Sequence, residues 1–113
     1  MPNAVKSADG FYYIIEKQGT GPNPKNNQTV TIHYKGSTYD GKVVETDSGK
    51  TTSFQIGDKQ VIPGWDKGVV LLNKGAKARF YIPSDLAYGE RGVSNIIQPN
   101  TTLIYEIEVV DIK

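Results

Sequence analysis

Alternation of apolar and polar positions dominates this chain. Val30, Ile32 and Tyr34 share one face of a segment whose other face carries Thr29, Thr31 and His33. Ala76, Ala78, Phe80 and Ile82 alternate with Lys77, Arg79 and Tyr81. Leu103, Tyr105, Ile107 and Val109 alternate with Ile104, Glu106 and Glu108. A period of two is the mark of half-buried strands. Tyr12 to Lys17 predicts a further strand, apolar on more than one face and ended by Gly19-Thr20-Gly21-Pro22. Phe54 and Ile56 mark a short strand before Gly57. Asp40-Gly41 is a turn dipeptide, and Lys42 to Glu45 continues past it as a strand.

One segment has another period. Val61, Trp65, Val69 and Leu72 recur at the spacing of one α-helical stripe. Pro63 suits the first turn, Asp66 lies near the positive helix end, and Asn73-Lys74-Gly75 supplies a stop. A helix of about ten residues is expected, able to cover one face of the sheet. The fold class is α+β: one twisted antiparallel sheet, one main helix, and long loops over 46–51 and 89–101.

Composition supports this reading. Val, Ile and Thr number 30 against four Leu and five Ala, a bias toward pleated surfaces. The 113 residues imply one domain, 1–113, with 1–10 a flexible N-terminal segment. With no Cys there is no disulfide framework, Cys nucleophile or Cys-based zinc site. The single His33 leaves little for a His-based metal site and reads as a strand histidine, so no metal or cofactor is expected. A net charge of +1 gives no footprint for nucleic acid or an anionic membrane. No apolar run suggests a secretory signal or a membrane span of about 18 residues. A cytoplasmic monomer is the resulting expectation.

What remains as candidate chemistry is aromatic and apolar. The chain has seven Tyr, three Phe and one Trp. Trp65 lies on the helix stripe and reads by default as core. Tyr88 sits between Ala87 and Gly89 at the start of a loop, and Ile96-Ile97 follows in that loop without any alternation. These residues could pin the loop to the core, or line a concave pocket that offers one polar donor.

Several motifs carry a resemblance. They are His33-Tyr34-Lys35-Gly36, Asp40-Gly41-Lys42, Val61-Ile62-Pro63-Gly64-Trp65-Asp66, Ile82-Pro83-Ser84, Ala87-Tyr88-Gly89 and Ile96-Ile97-Gln98-Pro99. In this order and at these intervals the chain resembles the FKBP family from about Tyr13 to Ile112. These are peptidyl-prolyl cis–trans isomerases that also bind tacrolimus and rapamycin. The resemblance implies a five- to six-stranded antiparallel twisted sheet wrapped around one short α-helix. It makes Trp65 the floor of a proline pocket, with Tyr34 and Tyr105 as walls and Phe54 beside them. Val61 and Ile62 line the helix entrance, and the Ile62 N–H and Tyr88 hydroxyl donate to flanking carbonyls. Ile96 and Ile97 close the loop side. Trp65, Tyr88, Ile62, Tyr34 and Glu45 are thereby the catalytic candidates.

The rim departs from the family pattern. Val44 stands where the family usually has an aromatic, Glu45 where it has Asp, and Thr52 where a further pocket aromatic is usual. Val93-Ser94-Asn95 replaces a more usual His-Pro-Gly. The resemblance therefore implies an active isomerase that assists protein folding, weakened or re-tuned at one rim. Its partners are Pro-containing peptides and proteins and macrolides. The alternative is a binding module for Pro-containing partners with reduced catalysis.

Overall fold

The alternating segments become strands, and the strands join in one antiparallel sheet. The structure is a computed structural model that describes residues 4–7, 10–38, 41–46, 49–58, 61–89, 91–93, 97–98 and 100–113. Its strands are β1 (Val5–Lys6), β2 (Tyr12–Lys17), β3 (Thr29–Thr38), β4 (Val43–Thr46), β5 (Thr52–Gln55), β6 (Lys77–Ile82) and β7 (Leu103–Ile112), with helix α1 (Pro63–Val69) between β5 and β6. The order across the sheet is β1-β2-β6-β7-β3-β4. Strand β5 pairs with β3 through Thr29 to Ile32, ahead of the stretch Lys35 to Ser37 that pairs with β4. Strand β3 thus has β7 along one side and β5 then β4 along the other.

The sheet has seven strands where the resemblance implied five to six. The unforeseen strand is β1, whose Val5 and Lys6 pair with Tyr13 and Tyr12. Two residues are too few to carry a readable period. The central strands follow the alternation: Val30, Ile32, Ala78, Phe80, Ile82, Leu103, Tyr105, Ile107 and Val109 are all buried. The opposite face carries charges in register. Lys35 Nζ lies 3.1 Å from Glu106, and Arg79 lies 3.8 Å from Glu106 and 3.4 Å from Glu16. Such exposed pairs contribute little each, about 0–1 kcal/mol, but they disfavour any slip of register.

The helix is shorter than the stripe suggested, with seven residues. Pro63 sets its start. The residue before a proline is pushed out of the helical region, and Ile62 is extended at φ −59° and ψ 149°. Two internal glycines lower its helix propensity, and the helix ends at Val69 with Leu72 buried in the turn beyond. Those glycines have a packing reason. A Cβ on Gly64 would lie 2.5 Å from Ile82 Cδ1, and one on Gly68 would lie 3.2 Å from Phe80. One bare face of α1 therefore rests on β6. That close approach brings Trp65 against residues of β3, β5 and β7.

Candidate functional site

The site is built around Trp65. Its neighbour Ile62 caps the helix, and Pro63 fixes the entry angle of the chain. The indole is 5% exposed. Tyr34 from β3 meets it at a ring separation of 4.6 Å and an interplanar angle of 65°. Tyr105 from β7 meets it at 5.3 Å and 89°, and Phe54 from β5 at 6.0 Å and 42°. Edge-to-face contacts of this kind add about 0.5–1.5 kcal/mol each beyond burial. The Trp65 Nε1 is buried without a hydrogen-bond partner among the described residues. The indole is thus positioned by ring contacts and not by a hydrogen bond.

Above this floor lies a cleft of about 420 Å³ lined by Glu45, Val61, Ile62, Trp65 and Tyr88. One end is assembled from three adjacent strands. Gly36 is the register partner of both Glu45 on β4 and Tyr105 on β7. Because Gly36 has no side chain, the Tyr105 ring lies over it; a Cβ there would fall 2.6 Å from Tyr105 Cε1. The Tyr105 hydroxyl crosses that gap and donates to Glu45 Oε1 at 2.9 Å.

Tyr88 reaches the same carboxylate. It follows a 3₁₀ turn at Ser84–Leu86, and its loop is held by Gly89 N–H to the Ser84 carbonyl at 2.7 Å and Gly92 N–H to the Tyr88 carbonyl at 3.1 Å. Burial raises the Tyr88 phenol above its ordinary value, and hydrogen bonding to Glu45 raises it further. Tyr105 is raised in the same direction, first by its burial and then by the charge of Glu45. Both hydroxyls therefore stay protonated at neutral pH and remain donors.

The sequence candidates occupy two layers. Glu45, Val61, Ile62, Trp65 and Tyr88 line the cleft itself. Tyr34, Phe54 and Tyr105 surround the indole, with Tyr105 fully buried, so it supports the floor from below. Val44 is half-buried against the core edge. Ile97 is buried, and its N–H bonds to the Val93 carbonyl at 2.8 Å, so it anchors the loop. Ile96 lies outside the described residues. Sequence reasoning missed Gly36 as the gap that joins Tyr105 to Glu45. The signal available was a Gly at a strand position, which often marks a close approach.

Chemically the cleft offers an aromatic floor, aliphatic sides, a hydroxyl donor and a carboxylate. Among the described residues the Ile62 N–H has no protein acceptor, while its carbonyl accepts the Trp65 N–H at 3.0 Å. No group of three or more His, Asp or Glu among the described residues could hold a metal. No helix among them is long and apolar enough to cross a membrane.

The sequence model for FKBP-type peptidyl-prolyl cis–trans isomerases matches residues 21–110, which include Tyr34, Phe54, Tyr105 and every residue lining the cleft. The chain belongs to this family. It is 44% identical over 108 residues to the probable FKBP-type peptidyl-prolyl cis–trans isomerase FkpA of Neisseria meningitidis, covering 94% of this chain and 39% of that protein. It is 40% identical over 114 residues to the outer membrane protein MIP of Legionella longbeachae, covering 99% of this chain and 48% of that protein. The chain thus spans less than half the length of these curated relatives. A solved peptidyl-prolyl cis–trans isomerase of Pseudomonas syringae superposes with a TM-score of 0.92 at 35% identity, over 100% of this chain and 83% of that one. The FKBP fold of this chain therefore carries the Trp65 cleft between its helix and its sheet.

Proposed function

We propose that this FKBP-type chain accelerates rotation about X–Pro bonds in protein substrates, and so assists folding, by holding the amide in the Trp65 cleft. An X–Pro amide resists rotation by about 18–20 kcal/mol because twisting destroys C–N resonance. Uncatalysed exchange takes tens of seconds or longer. The twisted amide has less charge separation than the planar one. A cleft with an aromatic floor and aliphatic sides penalises the planar form more, and so favours the transition state. No nucleophile or proton donor is consumed.

The observation that carries this reading is the convergence of a ring-sized apolar floor with an unspent Ile62 N–H and the Tyr88 hydroxyl. The proline ring stacks on Trp65. The Ile62 N–H takes one flanking carbonyl, and the Tyr88 hydroxyl turns from Glu45 to the other. The same cleft accepts tacrolimus- and rapamycin-type macrolides, whose affinity is lowered because Val44 and Thr52 supply less surface than aromatics would.

A protease-free isomerisation assay on apolar X–Pro peptides tests the reading. Catalysis above background at about micromolar protein is expected, and Trp65→Leu should reduce it by at least about tenfold. Absence of catalysis with intact peptide binding would favour a Pro-binding module instead. The shortened rim at Val44 is the feature that points toward that second reading.

A further inference from the structure

Among the described residues the cleft has one charged group in its wall, and nothing in the catalytic reading uses that charge. Glu45 is half-buried and lines the cleft directly. Its close partners are two neutral hydroxyls, Tyr105 at 2.9 Å and Tyr88. Among the described residues no Lys, Arg or His forms an ion pair with it. The basic side chains of β3 and β6 are on the opposite sheet face, where Lys35 and Arg79 pair with Glu106. A substrate side chain beside the proline thus meets a carboxylate that has no cationic partner among the described residues.

We propose that Glu45 is a specificity-determining residue, favouring X–Pro segments with a lysine or arginine flanking the proline. This rests on the proposed isomerase function and names a substrate class for it. The physical basis is a pairing that a cleft provides better than open solvent. The Tyr105 donor holds the carboxylate in place, so a substrate cation gains attraction without having to order it. Partial burial strengthens that attraction, while the exposed side of Glu45 lets water moderate it. A flanking Asp or Glu would be repelled by the same group. An uncharged flanking side chain of similar length has no such term.

The test uses two matched peptide series, varying the residue before or after a single proline among Lys, Gln and Glu. Turnover is followed without protease, and affinity through the fluorescence of Trp65. In at least one series, Lys is expected to exceed Gln by about three- to tenfold in kcat/KM and in affinity, with Glu below both. The preference should shrink between about 0.02 M and about 0.5 M salt. It should vanish in Glu45→Gln, whatever that variant does to absolute rates. Turnover with equal Lys and Gln values in both series overturns the proposal and leaves the isomerase reading intact. Binding in the order Lys, Gln, Glu with no turnover overturns the isomerase reading and leaves this preference standing.

Discussion

The Tyr105 hydroxyl donates to Glu45 Oε1 at 2.9 Å across the bare backbone of Gly36. This bond ties β7 to β4 beneath the cleft, although β3 separates the two strands. Tyr105→Phe keeps the ring against Trp65 and removes only the hydroxyl. We expect a stability loss of about 1 kcal/mol, typical of one net hydrogen bond, in denaturant titration. Catalysis should fall by less than about tenfold, because Tyr88 still contacts Glu45. A double-mutant cycle with Glu45→Gln should give a coupling energy of about 0.5 kcal/mol or more; additive effects would contradict a working bond.

Gly36 gives a sharper prediction from the same arrangement. Alanine there would place a methyl group 2.6 Å from Tyr105 Cε1, in a strand where both neighbours are fixed by pairing. The ring must shift, which breaks its contact with both Trp65 and Glu45. Gly36→Ala should destabilise by about 1–3 kcal/mol, as overpacked cores do. It should also alter Trp65 fluorescence. In Gly36→Ala/Tyr105→Leu, where the clashing ring is gone, the alanine should cost much less than it does alone.

These two cases separate what was legible in the sequence from what was not. Strands β3, β6 and β7 follow from alternation, since one face of each meets the core and the other meets water. The start of α1 follows from Pro63. The helix length does not, because Gly64 and Gly68 weaken the helix while satisfying a packing need set by Ile82 and Phe80, which are distant in sequence. Strand β1 is too short to have a period. Trp65 and Tyr88, singled out through their motifs, both line the cleft. The partnership of Tyr105 with Glu45 was not, for it depends on a register that places both beside one glycine.

Val44 precedes the cleft residue Glu45 on β4. Replacing it with Phe adds apolar surface beside Glu45 without touching the floor. If the cleft binds as proposed, Val44→Phe should tighten tacrolimus by about 1–2 kcal/mol, or roughly five- to thirtyfold. Titration of Trp65 fluorescence reads this directly. Thr52→Phe offers the parallel test on β5, next to Phe54. Unchanged affinity in both variants would mean that the rim does not contact the ligand.

Alkaline pH should reveal the two raised phenols, one buried at Tyr105 and one half-buried at Tyr88. Tyr88 and Tyr105 are both raised above the ordinary tyrosine value, each first by burial. In the unfolded chain the same groups ionise near about pH 10. Above that pH the unfolded state holds fewer protons than the folded one, so raising the pH draws the equilibrium toward unfolding. The stabilisation is therefore fully present below about pH 10 and declines progressively above it, toward the raised folded values. Between about pH 6 and 9 neither phenol changes state, so their contribution to stability and to catalysis should be flat. Melting temperatures across about pH 7 to 11 test this, comparing the wild type with Tyr88→Phe and Tyr105→Phe. Each variant should be less stable than the wild type at neutrality yet lose less stability on the alkaline side. A Tyr105→Phe curve that runs parallel to wild type through about pH 11 would show that the Tyr105 hydroxyl is not held protonated beside Glu45.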